Sequence, residues 1–193
     1  LGDVYKRQVD GLSGLNEKRS FGKGEIIRPF LNLPKSDLKF FVDLNELSYI
    51  EDDTNMNNKF DRNFLRNEII PSLGERWSKL SERASFTSLT AKKKKQSLDF
   101  MLEKNFEKEI SLGILERNNF ENIPPFLIEE LIRLILRKRN IAAPNQKVLS
   151  EIMNVFFHKK PSKESCVKWS RKDGEQTGGK VYCKHNDIIL QKE

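Results

Sequence analysis

The sequence predicts a mainly helical α+β chain, and three observations carry that prediction. Apolar residues recur at helical spacing, as in Leu38, Phe41, Val42 and Leu44. From about Glu75 to Glu109 there is little Pro or Gly, the residues that punctuate local structure. The tail alternates in the strand manner over Cys166–Trp169, Lys180–Lys184 and Ile188–Leu190.

In chain order, Val9–Gly24 is rich in Gly and Ser and reads as loop. Glu25–Phe30 suits a short strand. Pro34 fits the first turn of a helix that runs through about Asn45. Tyr49-Ile50 suits a short extended piece. Asp52–Lys59, rich in Asn and Asp, reads as a turn. Asp61 can cap a helix starting near Arg62, with Phe64, Leu65, Ile69 and Leu73 on its apolar side, and Pro71 should kink or end it. The stretch after Glu75 reads as a long helix, broken near Ser85–Thr90. Ile110–Leu115 is a strand candidate. Pro124-Pro125 opens a helix whose residues Leu127, Ile128, Leu131, Ile132, Leu134, Ile135 and Leu136 crowd one broad face, as a core helix requires. Asn140–Pro144 is a turn. Val148, Leu149, Ile152, Val155 and Phe156 mark a further amphipathic helix, and Asn186-Asp187 a turn between strands.

Charge narrows the function classes. The 193 residues carry 35 Lys and Arg against 28 Asp and Glu, a net charge of +7 and a pI near 9.3. That balance suits a polyanionic partner, because clustered cations release counterions from phosphates, although ordinary solubilising charge gives the same figure. Two cysteines, Cys166 and Cys183, are too few for a disulfide framework, and no Cys-x-x-Cys or His-rich cluster spells a zinc site, so no metal is expected. A reducing, cytoplasmic setting fits. No apolar run reaches the ~20 residues of a membrane span, and no signal peptide is visible. Asp3-Val4-Tyr5-Lys6-Arg7-Gln8 resembles a translated sequencing-library adapter. Leu1–Gln8 is therefore set aside as an artefact, on which reading the gene is cut at this point.

The densest polar chemistry lies between Tyr49 and Leu73. Asp52, Thr54, Asn55, Asp61, Arg62, Asn63 and Arg66 fall within a few turns of chain, more Asp, Asn and Arg than amphipathic packing calls for. Arg62 and Arg66 stand one helical turn apart on one face. Two guanidinium forks there can hold phosphates or a splayed base, as an RNA loop presents them. Asn55 and Asn63 can read a base edge or pin the loop, and Asp52 and Asp61 can orient the arginines. The competing account is an ion-pair and cap network that only fixes the loop.

The string Ile50-Glu51-Asp52-x-Thr54-Asn55, with Asp61-Arg62-Asn63-x-x-Arg66 and the upstream Arg28-Pro29-Phe30, resembles the bacterial tRNA(Ile)-lysidine synthases in order and spacing. In that family the third residue of Arg-Pro-Phe is usually Leu. The resemblance is strong over Ile27–Trp77 and weaker but order-preserving over Ile110–Leu190. It implies an enzyme that uses ATP and Mg²⁺ to adenylate the wobble cytidine of an isoleucine tRNA with a CAU anticodon, after which the ε-amine of L-lysine displaces AMP. It further implies that Arg28 and the Asp52–Arg66 cluster form the tRNA-binding or active-site rim. The family's Ser-Gly-Gly-x-Asp-Ser nucleotide loop does not occur in these 193 residues. The catalytic residues are accordingly unknown, and the chain alone is expected to be inactive and to bind no ATP or Mg²⁺.

On this reading residues 9–78 are the C-terminal part of an α/β adenine-nucleotide hydrolase-like catalytic domain, 79–109 a helical linker, and 110–193 a small helix-plus-strand domain for tRNA. A non-catalytic RNA-binding helical module is the alternative. A tRNA thiolase relative ranks third, since such enzymes usually add Cys pairs. Other features read blandly. Lys92–Lys95 spreads around a full helical turn, as a solvated linker would, with a tRNA backbone contact as the alternative. Gly174–Lys180 imitates a phosphate loop but has Val181 where Ser or Thr is required, so it reads as a β-turn. His158 and His185 read as surface residues, Trp77 and Trp169 as core or rim.

Overall fold

The computed structural model describes residues 9–21, 24–50, 52–162, 164–170 and 177–193. Leu1–Gln8 and the first three residues of the Gly174–Lys180 turn therefore lie outside the described residues. The chain divides into two compact units, Val9–Lys92 and Lys93–Glu193.

The first unit opens with a helical turn, Val9–Leu12, and a hairpin of β1 (Lys18–Phe21) and β2 (Gly24–Ile27), in register from Lys18↔Ile27 to Phe21↔Gly24. Composition suggested loop for Val9–Gly24. The ladder to β2 organises it instead, and Arg28 N–H extends the ladder to Glu17 O at 2.7 Å. Helix α1 (Lys35–Leu44) starts after Pro34, whose φ of −59° suits a helix entrance. It stops at Asn45, whose side-chain amide turns back to Phe41 O at 2.8 Å. Tyr49-Ile50 forms no strand. A 3₁₀ turn, Asp53–Met56, leads to helix α2 (61–76), made of Asp61–Phe64, a π turn at Leu65–Ile69, and Ile70–Arg76.

Pro71 does not end α2. A helix-interior proline lacks an N–H and collides with the carbonyl four residues back. The wide turn just ahead of it, in which Ile70 N–H reaches Leu65 O, has already displaced that ladder, and the helix runs on to Arg76. Among the described residues of this unit only Asn63 is buried. Phe40, Phe41 and Leu44 of α1 and Phe64, Leu65 and Ile70 of α2 remain exposed. The unit holds no apolar core of its own.

Helix α3 (Leu80–Asn105) passes into the second unit without the break expected at Ser85–Thr90. The Thr87 hydroxyl donates to Arg83 O at 2.9 Å, so the polar side chain is satisfied within the helix. Leu102 is buried and Leu98 packs beside it, so the second unit begins near Lys93 rather than at Ile110. Helix α4 (Glu107–Leu112) takes the first half of the predicted Ile110–Leu115 strand. Acidic Glu107 and Glu109 suit its first turn, and Gly113, at φ 69°, closes it. Strand β3 (Ile114–Glu116) follows.

Helix α5 (Pro125–Lys138) is the core helix, with Ile128, Leu131, Ile132, Leu134, Ile135 and Leu136 buried. Helix α6 (146–158) is capped by Asn145, whose side chain accepts from Val148 N–H at 2.9 Å, and its last part, Met153–His158, is a π turn. Strands β4 (Cys166–Trp169), β5 (Gly179–Lys184) and β6 (Asp187–Lys192) complete an antiparallel sheet of order β3-β6-β5-β4. The β5–β6 turn is His185-Asn186, one residue earlier than expected, with His185 at φ 59°. Inward-facing Leu115, Val167, Trp169, Val181, Ile188 and Leu190 meet the helices in one cluster. A lattice of ion pairs ties α3 to α5: Lys95 to Asp99 at 3.0 Å and Glu130 at 3.3 Å, Arg137 to Asp99 at 2.7 Å, Lys138 to Glu103 at 2.7 Å. His158 and His185 are exposed. Among the described residues no helix is long and apolar enough to cross a membrane.

Gly179 marks the tightest point of this core. A Cβ there would lie 2.4 Å from the Trp169 ring and 2.7 Å from Ile141 Cγ2, while Trp169 Nε1 donates to Ala142 O at 2.6 Å. Gly179→Ala should destabilise the protein by about 1–3 kcal/mol in a urea melt followed by tryptophan fluorescence. An unchanged midpoint would contradict this packing.

Candidate nucleic-acid interface

The Asp52–Arg66 cluster is held together by asparagine side chains. Asp52 closes an Asx turn, its Oδ1 accepting from Thr54 N–H at 2.9 Å and from the Thr54 hydroxyl at 2.7 Å. Asn55 N–H donates to Asp52 O at 2.9 Å. The buried Asn63 side chain then reaches from α2 into this loop, donating to Thr54 O at 2.8 Å and Asn57 O at 3.0 Å. One turn later Asn67 donates to Asn55 O at 3.1 Å and Asn58 Oδ1 at 2.9 Å, and Asn58 donates to Glu68 at 3.0 Å. Asn63 and Asn67 share a face because they are four residues apart.

At Asn63, both hydrogen bonds of the side-chain amide nitrogen go to carbonyls of the loop. Asn55 is exposed and holds the loop through its main chain, with Asn67 on its carbonyl. Asp61 is the first residue of α2 rather than its cap, and its carboxylate favours the positive helix end. Arg62 and Arg66 are exposed, and among the described residues neither has an ion-pair partner. Arg28 stands apart from this network. Its Nη1 donates to Asn16 O at 3.0 Å, and among the described residues no hydrogen bond or ion pair links it to the Asp52 loop.

Beside the loop lies a cleft of about 500 Å³, lined by Lys35, Leu38, Lys39 and Val42 of α1 and by Tyr49, Asp52, Asn55 and Met56. The sequence reading missed Lys35, Lys39 and Asn67. The signal for the lysines was present: they precede Leu38 and Val42 by three residues each, so the stripe that marked the helix also carried two cations on its flank. Its lining combines apolar Leu38, Val42 and Met56 with the cations Lys35 and Lys39, the exposed Tyr49 and the Asp52 carboxylate.

Bonding to Thr54 is the main reason the Asp52 carboxyl lies below its ordinary value of 3.8, with the Arg62 charge a smaller contribution. Because the folded value is depressed, the stabilisation is complete above the ordinary value and is lost as pH falls through the lowered one. Followed by NMR, the Thr54 amide signal should therefore titrate with its midpoint below 3.8. Movement centred at the ordinary value would contradict the Asx turn.

Comparison with known proteins agrees with the resemblance read from Ile27 to Trp77. Residues 4–73 match the PP-loop domain family. The match begins within the eight residues set aside as adapter-like, and the matched span contains no Ser-Gly-Gly-x-Asp-Ser. The tRNA(Ile)-lysidine synthase of Coxiella burnetii is 33% identical over 76% of this chain and 32% of its own length. That of Buchnera aphidicola from Acyrthosiphon pisum is 35% identical over 71% of this chain and 31% of its own. That of Legionella pneumophila strain Lens is 27% identical over 84% and 38% respectively. The chain thus spans roughly a third of the length of the curated relatives it matches. It is a homologue of the tRNA(Ile)-lysidine synthases over most of its residues, with a PP-loop domain match at its start.

Proposed function

We propose that this chain is part of a tRNA(Ile)-lysidine synthase and that its first unit is the rim at which the anticodon loop meets the catalytic domain. The observation that carries this is the pair Arg62 and Arg66, exposed and without carboxylate partners among the described residues, on a helix whose intervening Asn63 locks the adjoining loop. The helix that carries them is tied through Asn63 and Asn67 to the loop whose Asp52 and Asn55 line the cleft with Lys35 and Lys39, and guanidinium forks suit phosphates. The reaction is the family's: ATP adenylates the wobble cytidine of the CAU anticodon, and the ε-amine of lysine displaces AMP. Adenylation makes the cytidine oxygen a good leaving group.

Among the described residues no three His, Cys, Asp or Glu side chains converge as a metal site, and the 193 residues hold no Ser-Gly-Gly-x-Asp-Ser loop. No step through ATP is assigned to them. What they supply is grip and orientation of RNA, with residues 93–193 as the small tRNA-binding domain of the same enzyme. A cytoplasmic location follows from that role.

Arg62→Ala with Arg66→Ala should weaken binding of a CAU-anticodon tRNA transcript by tenfold or more in fluorescence anisotropy. The same change should matter much less for a transcript whose anticodon loop is replaced by a stable tetraloop. Equal loss on both RNAs would favour a general RNA-binding module, and no loss on either would remove the two arginines from the interface.

A further inference from the structure

Cations of α3 and α5 have carboxylate partners, whereas among the described residues Lys168 and Lys180 on the outward face of the C-terminal sheet have none. Along β4, β5 and β6 inward residues alternate with outward ones. Lys168 stands directly opposite Lys180, and Lys180 directly opposite Gln191. At the end of this row Gln191 and Lys192 line a cleft of about 570 Å³ with Arg139 and Ile141. Among the described residues none of Lys168, Lys180, Lys192 and Arg139 has an ion-pair partner.

That arrangement works against folding. Like charges directly opposite on neighbouring strands destabilise the sheet. The surroundings nevertheless hold the row in place. Lys180 Nζ lies 5.8 Å over the Tyr182 ring, and the Tyr182 hydroxyl donates to Gln191 Oε1 at 3.3 Å. Three strands at a spacing of roughly 4.8 Å spread these groups over more than one anion's width. A run of phosphates would supply charge to each cation in turn, and the Gln191 amide can meet a ribose hydroxyl.

We propose that Lys168, Lys180 and Gln191 bind the sugar–phosphate backbone of a folded RNA. This rests on the proposed function and assigns the contact surface of its second unit. The test is anisotropy of the whole chain with a labelled tRNA transcript across a salt series. Each lysine that touches a phosphate contributes about 1 to the slope of log affinity against log salt. Lys168→Gln with Lys180→Gln should therefore make the slope shallower by about 2 and weaken binding several-fold at low salt. The melting temperature without RNA should stay level or rise, because the opposed charges are gone. Lys184→Gln, on the same strand but opposite Asp187, should leave the slope unchanged. An unchanged slope in the double variant, an equal loss in Lys184→Gln, or equal competition by polyglutamate would overturn the assignment while leaving the anticodon-loop reading standing. Failure of the unmodified chain to bind tRNA would overturn both.

Discussion

The buried side-chain amide of Asn63 is the contact on which the candidate interface depends. It donates to Thr54 O and Asn57 O, two carbonyls of a loop that makes no sheet and only one short 3₁₀ turn. Left without these acceptors, the buried Asn63 amide would cost ~1–3 kcal/mol, more than any one exposed contact in the loop can return. Asp52 and Thr54 close the loop from inside, Asn63 and Asn67 clamp it from the helix, and the flanking Arg62 and Arg66 are thereby carried on a fixed frame. Polar contacts dominate this unit because it lacks the apolar alternative.

The two units solve the folding problem differently. In Lys93–Glu193, one face of the sheet and the inward faces of α5 and α6 enclose a continuous apolar cluster, and each fully buried Leu or Ile contributes ~1.5–3 kcal/mol. Val9–Lys92 has Phe40, Phe41, Leu44, Phe64, Leu65 and Ile70 exposed and no buried apolar residue among those described. Such surface is costly to leave wet and suits a unit that completes its core against further protein. The homologous enzymes, of which this chain covers roughly a third, contain more polypeptide than is present here.

What could be read from the sequence was what local periodicity encodes. The core helix opened by Pro124-Pro125, the helix after Pro34 and the three C-terminal strands follow from apolar spacing alone. The β1–β2 hairpin escaped because its ladder pairs residues whose composition looks like loop. Both π turns escaped because a 3.6-residue period does not signal an inserted residue, and the one at Leu65–Ile69 is why Pro71 failed to stop its helix. At the candidate site, residue type in the string of Asp, Asn and Arg could not separate a reader from a clamp. Only burial distinguishes Asn63, which pins the loop, from the exposed arginines beside it.

The central claim is that this loop and helix belong to an ATP-dependent tRNA ligase. Amplifying the gene outward from the codon for Val9 and sequencing the upstream region tests it most directly. The account predicts a strand followed by a Ser-Gly-Gly-x-Asp-Ser loop in frame with Val9. An in-frame start at Leu1, or an upstream region without that loop, would contradict it and leave RNA binding without ligation as the chain's role.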